Sequence, residues 1–123
     1  MSKRDPLILV EDVRASITKI ERYVAGLSHD QFITDDLRKD AVARNLEIIG
    51  EAVRQMPDDF KQAHANVPWP QIAGLRNRIV HDYFGLDWEI IWHVLQNELP
   101  ELKTRLPTTH VVIADLAQSV GNS

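Results

Sequence analysis

One short segment near the middle of the chain concentrates side chains that can handle protons and phosphate. It reads GLRNRIVHDYFG and runs from Gly74 to Gly85. Four residues separate Arg76 from His81, and one residue separates His81 from Tyr83. Histidine has an ordinary pKa of roughly 6.5, so His81 can take or give a proton near neutral pH. Arginine stays protonated and can meet two phosphate oxygens at once, which suits Arg76 to a phosphoryl group that gains negative charge.

These residue types together fit the cleavage of a phosphodiester bond. Breaking RNA with its own 2′-hydroxyl as nucleophile needs a proton acceptor, a proton donor for the leaving 5′-oxygen and positive charge beside the phosphorane. His81 can serve the proton transfers and Arg76 can supply the charge. Asn77 and Arg78 are candidates for orienting the phosphate or the ribose. This scheme requires no metal ion.

The remaining histidines offer no recognisable metal site. The chain has no cysteine and no HExxH pair, which excludes thiolate zinc sites and disulfides. No glycine-rich loop is followed by Lys-Ser or Lys-Thr, so a P-loop is also excluded. We therefore expect neither a metal nor a cofactor. The other histidines are scattered without i, i+4 spacing: His29, His64, His93 and His110.

The same residues have a structural explanation that must be kept beside the chemical one. Arg76 could be an ordinary arginine on a helix surface, and His81 could lie near a helix C-terminus, where its charge favours the helix dipole. Tyr83 could be a core tyrosine whose hydroxyl reaches the surface.

Composition indicates one soluble domain. A chain of 123 residues with 44% apolar and 26% charged residues can bury a single core. The absence of cysteine favours a reducing cytoplasm, and the apolar run Leu7–Val10 is too short for a signal peptide or a membrane span. The net charge of −4 argues mildly against nucleic acid as a partner. Any contact with RNA must therefore be local, at Arg76 and Arg78.

Helical periodicity dominates the first half of the chain. A first helix is predicted from about Pro6 to Val24, with Gly26 as its stop signal. Thr34-Asp35-Asp36 can cap a second helix, which Pro57 ends. Apolar residues recur in steps of three and four, at Val10, Val13, Ile17, Ile20, Val24 and Leu27 in the first helix and at Val42, Leu46, Ile49, Val53 and Met56 in the second.

The second half continues the helical pattern. A short extra helix is expected within 58–66, and Pro68-Trp69-Pro70 leads into a third helix that Gly85 closes. A fourth helix begins near Asp87, its N-cap. Pro100 should remove one backbone hydrogen bond and either bend or break this helix. The inward positions are Ile72, Leu75 and Ile79 in the third helix and Trp88, Ile91, Leu95, Leu99, Leu102 and Leu106 in the fourth.

The economical fold is therefore all-α, an antiparallel bundle of four main helices with a short extra helix. Residues 1–106 form the helical domain. Residues 107–123 form a C-terminal tail, docked or in part disordered, in which Val111-Val112-Ile113 could be a short strand or part of a docked helix.

The types and spacing of Arg76, His81 and Tyr83 match the RX4HXY signature of HepT-like proteins, a branch of the HEPN superfamily of helical nucleases. The segment DAVARNLEIIGEA at 40–52 resembles the second-helix pattern of that family, and 87–99 extends the resemblance downstream. It covers most of the chain between about Asp5 and Leu106. It implies a metal-independent endoribonuclease that cleaves tRNA or mRNA, as the toxin of a type VII-like toxin–antitoxin pair.

The resemblance also implies a means of control. HepT-like toxins are neutralised by a nucleotidyltransferase-fold, MntA-like antitoxin that adds AMP to the tyrosine of the signature, here Tyr83. A phosphodiester on Tyr83 would place negative charge and bulk where RNA phosphate must lie, and Arg76 would tend to pair with it. Asp82 stands where glycine is frequent in this family, and its carboxylate could raise the pKa of His81 or repel RNA.

Ideal helix geometry places Arg76 and His81 about 140° apart around one axis, so a straight helix would not aim both at one phosphate. Either the helix unwinds before Gly85, or a twofold homodimer places groups from both chains in one cleft. The resemblance to HEPN nucleases implies the second arrangement. Trp69, Trp92 or the tail could lie in the interface of such a dimer.

Arg44, Glu47 and Glu51 recur on one face of the second helix. They are either a solvated row of salt bridges or a set that braces Arg76 or contacts the partner.

Two other functional classes stay open. The chain could be a non-catalytic HEPN subunit that binds a nucleotide or a partner in a nucleotidyltransferase complex. It could also be a purely structural helical dimer. Breakage of RNA by the isolated protein separates the first reading from these two.

Overall fold

A computed structural model describes residues 5–80 and 85–107, and nearly all of this backbone is helical. Sheet-like pairing within these ranges is limited to one isolated antiparallel bridge between Val80 and Leu86. The all-α class predicted from the sequence is confirmed for the part of the chain that is described.

The first helix has the predicted bounds. Helix α1 spans Pro6–Val24, and the carboxylate of Asp5 accepts a hydrogen bond from the Leu7 amide at 2.8 Å. Pro6 occupies the first turn, where its missing N–H costs nothing. Gly26 adopts a φ of 75°, the left-handed conformation that glycine tolerates and that ends helices.

A short helix, α2 at His29–Ile33, lies between the two long helices predicted from the sequence. Ser28 and Gln31 form a reciprocal capping box at its start. The helix exists because Phe32 is completely buried and needs a backbone that directs it into the core.

Helix α3 spans Asp36–Gln55 and is capped by Asp35, in agreement with the prediction from the sequence. Asp35 accepts a hydrogen bond from the Arg38 amide at 3.0 Å and pairs with the Arg38 guanidinium at 2.6 Å. Helices α1 and α3 pack along one another and provide the frame of the fold. Their buried side chains include every apolar position of the predicted stripes from Val10 to Ile20 and from Val42 to Met56.

The predicted long third helix is wrong. The short helix expected within 58–66 is present as α4 at Asp58–Ala63, but the segment predicted as one helix forms α5 at Trp69–Ala73 and α6 at Leu75–Ile79. Gly74 separates α5 from α6, and a Cβ there would lie only 3.3 Å from the Pro70 carbonyl. Helix α6 ends at Ile79 rather than Gly85, because Val80 is extended, with φ −86° and ψ 125°, and pairs with Leu86.

The last helix passes Pro100 without breaking. Asp87 caps α7 at Trp88–His93 by accepting hydrogen bonds from the Glu89 and Ile90 amides, both at 3.1 Å. A π-helical turn at Val94–Glu98 follows and leads directly into α8 at Leu99–Arg105. The Leu99 amide bonds to the Val94 carbonyl five residues back, so the wider turn takes up the loss of the proline N–H.

One apolar core joins these elements. Trp69, considered above for a dimer interface, is instead buried within a single chain, and its indole N–H donates to the Lys61 and His64 carbonyls. Trp92 is half-buried against Phe32. Pro107, the last described residue, is bound to α1, because its carbonyl accepts a 2.6 Å hydrogen bond from Arg14. None of the described helices is both long and apolar enough to cross a membrane.

Candidate active site around Arg76

Arg76 projects from α6 into solvent. Leu75 and Ile79 on either side of it are buried and hold α6 against the core, and α6 packs on α3 and α7. Within the described ranges, Arg76 makes no hydrogen bond or ion pair, so its guanidinium is available to an anion. His81, Tyr83 and Asp82 lie outside the described residues.

The two ends of the segment that carries His81 and Tyr83 are brought together. The bridge joins Val80, four residues after Arg76, to Leu86. The Asp87 amide donates to the Ile79 carbonyl at 2.7 Å. Gly85 has a φ of 90°, which an L side chain rarely adopts. The described residues on either side of 81–84 therefore lie next to each other at the end of α6.

A groove with a volume of about 490 Å³ opens beside Arg76, between α1, α3 and α6. Leu9 of α1 and Ile79 of α6 contribute apolar surface to it, and Gly50 of α3 lies between them. The groove is large enough for a nucleotide and is bordered by Arg76.

The polar row predicted on the second helix lies on this groove. Arg44 pairs with Glu47 at 3.7 Å, and Glu51 pairs with Arg54 at 3.8 Å. All four side chains are exposed and line the groove together with Arg76. Such long, exposed pairs contribute little free energy, so either arginine can exchange its carboxylate for another anion. The sequence analysis did not include Arg54 in this row, although its position three residues after Glu51 places it on the same helix face.

Arg78 is placed differently from Arg76. Its guanidinium forms a bidentate pair with Glu98, with both nitrogen–oxygen distances at 2.7 Å. The hydrogen bonds from Arg78 hold the pKa of Glu98 below its usual range, and those to Glu98 raise the pKa of Arg78. This pair lines a second, smaller groove of about 220 Å³ that does not include Arg76. Asn77, between the two arginines, is exposed.

The described side chains thus present an unpaired arginine and two exchangeable ones to a groove, which suits a ligand with phosphate groups. No group of three or more histidine, aspartate or glutamate side chains able to hold a metal ion occurs within 5–80 and 85–107.

Comparison with known proteins gives a consistent result. The family model described as ribonuclease HepT-like matches residues 13–108, which include Arg76, His81 and Tyr83. A protein of Caldanaerobacter subterraneus subsp. tengcongensis, named "Putative RNase TTE0752", is 45% identical over 87 residues, which cover 71% of this chain and 77% of the relative. No solved structure matches the chain.

Two archaeal relatives match over more of their length. "Probable ribonuclease HepT" of Thermococcus cleftensis is 37% identical over 101 residues, 82% of this chain and 92% of the relative. "Putative RNase MJ1380" of Methanocaldococcus jannaschii is 37% identical over 103 residues, 84% of this chain and 94% of the relative. With the helical fold, the RX4HXY segment and the family match together, the chain belongs to the HepT-like ribonuclease family.

Proposed function

We propose that the protein is a metal-independent endoribonuclease that cleaves tRNA or mRNA through attack by the RNA's own 2′-hydroxyl. The observation that carries this proposal is the exposed guanidinium of Arg76, which lies at the edge of an open groove and has no ion pair or hydrogen bond among the described residues. The family match supplies the reaction class.

His81 and Arg76 divide the chemistry between them. His81 accepts the proton of the 2′-hydroxyl as the bond from the 2′-oxygen to phosphorus forms. The bond from phosphorus to the 5′-oxygen then breaks, and protonated histidine returns a proton to that oxygen. Arg76 stabilises the negative charge that builds up on the phosphorane oxygens. The products are a 2′,3′-cyclic phosphate and a 5′-hydroxyl.

The groove gives the RNA a path beside Arg76. Arg44 and Arg54 are held by weak surface pairs and can turn to neighbouring phosphates. Asn77 is exposed beside Arg76 and can contact the ribose or phosphate. Asp12, Glu47 and Glu51 also line the groove, so RNA binding in a chain whose net charge is −4 depends on these three arginines turning to phosphate rather than on a net positive patch.

Incubation of purified protein with tRNA and mRNA in EDTA tests the proposal. The wild-type protein should produce fragments with 2′,3′-cyclic phosphate or 3′-phosphate ends. His81→Ala and Arg76→Ala should each lower the cleavage rate by about 100-fold or more. Arg76→Ala should leave the melting temperature unchanged, because Arg76 is exposed and unpaired in the described ranges. Full dependence of cleavage on added magnesium would contradict the mechanism.

Arg22→Ala is the matched control for Arg76→Ala. Arg22 is an exposed arginine in the last turn of α1, and it does not line the groove. Its removal changes the net charge equally and should leave cleavage unchanged. Binding of RNA without cleavage by the wild-type protein would favour a non-catalytic binding subunit instead.

We further propose that the protein is the toxin of a type VII-like pair and that an MntA-like antitoxin silences it by adding AMP to Tyr83. Added phosphate at Tyr83 would compete with RNA for Arg76. Incubation with ATP, magnesium and the cognate nucleotidyltransferase should add the mass of AMP to Tyr83 and stop cleavage. Tyr83→Phe should stay active under the same treatment. Suppression of toxicity without modification of Tyr83 would mean that the partner acts by occlusion.

A further inference from the structure

Among the described residues, one charged clamp ties the short helix α6 to the last helix. Arg78 on α6 and Glu98 on the π-helical turn meet through two parallel hydrogen bonds of 2.7 Å. Glu98 lies 20 residues downstream, so this pair joins two elements rather than two turns of one helix. Bidentate arginine–carboxylate pairs fix orientation as well as distance.

The π-helical turn explains why Glu98 meets Arg78. A π turn contains one extra residue, so side chains after it are rotated by about 100° relative to an uninterrupted α-helix. Glu98 is the last residue of this turn and stands two residues before Pro100. The irregularity therefore determines which face of the helix carries the carboxylate.

The clamp is one of three contacts that limit the rotation of α6 about its own axis. The buried side chains of Leu75 and Ile79 hold one face of α6, and the hydrogen bond from Asp87 to Ile79 holds its end. Helix α6 has five residues and no side-chain cap. Arg76 and Arg78 project about 200° apart around a helix, so holding Arg78 on one side directs Arg76 to the other.

We propose that Glu98 is a positioning residue for the ribonuclease reaction. It acts through Arg78 in two ways: it holds α6 in the rotation that presents Arg76 to the groove, and it neutralises Arg78 so that RNA phosphate binds at Arg76. This inference rests on the proposed function, because it concerns the same site.

The second effect follows from charge. Two free arginines on opposite sides of α6 would offer the RNA backbone two competing positions, and only one of them lies on the groove with Arg76. Pairing with Glu98 removes Arg78 from that competition. Loss of Glu98 should therefore free a cation that binds RNA without aiding its cleavage.

Glu98→Ala, with Glu101→Ala as its matched control, tests the proposal. Glu101 lines the smaller groove beside Arg78, but its carboxylate pairs with Arg105 inside α8 and with no α6 side chain among the described residues. Glu98→Ala should lower kcat about 10-fold with KM unchanged or lower, since a small displacement of a catalytic group is costly. RNA binding should become more salt-dependent by about one phosphate contact. Glu101→Ala should change neither parameter. The double variant Arg78→Glu/Glu98→Arg, which restores the pair with reversed charges, should recover kcat.

Amide hydrogen exchange at Asn77 and Arg78, whose N–H groups donate to the Gly74 carbonyl at 3.0 and 3.3 Å, provides a measurement that is independent of activity. Exchange should quicken about 10-fold in Glu98→Ala, remain at the wild-type rate in Glu101→Ala and return to it in the double variant. If wild-type protein does not cleave RNA, the proposed function fails, and the exchange rates still decide whether Glu98 positions α6. Unchanged exchange in Glu98→Ala, or an unchanged kcat in an active enzyme, would overturn the inference.

Discussion

At the scale of single residues, His29 connects α2 to the start of α7. Its Nε2 lies 2.9 Å from both carboxylate oxygens of Glu89, and its Nδ1 lies 3.4 Å from Asp30. Its ring also meets the edge of Trp92 at 5.6 Å. Hydrogen bonds to Asp30 and Glu89 raise the pKa of His29 above its ordinary value of 6.5, against the opposing effect of its partial burial.

The raised pKa gives stability a predictable dependence on pH. Protonated His29 stabilises the fold fully below about pH 6.5, and this contribution is lost as pH rises through the higher folded pKa. The melting temperature of the wild-type protein should therefore exceed that of His29→Gln by more at pH 6 than at pH 8.5. Glu89→Gln should reduce this difference, and NMR titration should give His29 a pKa above 6.5. A gap between wild type and His29→Gln that is independent of pH would refute the assignment.

Residue spacing indicated a site for phosphodiester cleavage but not which arginine forms an ion pair. Arg76 and Arg78 look alike in the sequence, and both were candidates for contact with RNA. Only the fold distinguishes them, because the partner of Arg78 is a glutamate in another helix. The row Arg44, Glu47 and Glu51 was likewise visible as a helix face, but its position on the groove with Arg76 depends on how α3 packs against α6.

At the scale of elements, apolar periodicity and capping residues predicted the bounds of the long helices. They did not predict helix ends that depend on contacts between residues distant in the sequence. Helices α1 and α3 have strong apolar periods and capping aspartates, so their bounds could be predicted. The positions of Ile72, Leu75 and Ile79 fit one helix as well as two. The division at Gly74 has no signal in this spacing, and the end at Ile79 depends on the pairing of Val80 with Leu86.

Two smaller elements, α2 and the π-helical turn, differ in how clearly the sequence marks them. The capping box of α2 has the Ser-x-x-Gln spacing that marks a helix start, followed by the buried Phe32. The π-helical turn had a weaker signal. Pro100 indicated that the helix must change, but sequence alone does not distinguish a bend, a break and a π turn.

At the scale of the whole molecule, part of the exposed apolar surface adjoins residues that line the groove, while the exposed Leu37 and Ile90 do not line it. Leu7 and Ile8 at the start of α1 are 45% and 48% exposed and precede Leu9, which lines the groove. Val80 is 39% exposed and follows Ile79, which also lines it. Exposed apolar side chains beside a charged groove are typical of a surface that binds another protein. On this basis we predict that two copies of the chain meet at this site.

Because α6 ends at Ile79, helix geometry alone does not require a site shared between two chains. A straight helix through Gly85 would have pointed Arg76 and His81 in different directions, but α6 ends at Ile79 before His81 is reached. One chain could therefore bring both groups together, and ideal helix geometry no longer requires a second copy. A direct test must decide between a site within one chain and a site across two.

We predict a twofold dimer in which each active site takes Arg76 from one chain and His81 from the other. The wild-type protein should sediment as a dimer, and Ile8→Glu should shift it toward a folded monomer with little activity, because a charge would enter the interface. Arg76→Ala and His81→Ala proteins should each be inactive alone. Mixed and refolded in equal amounts, they should recover about a quarter of wild-type activity, since half of the dimers are mixed and each mixed dimer contains one intact site. A site confined to one chain would give no recovery, because every chain in the mixture lacks one of the two groups.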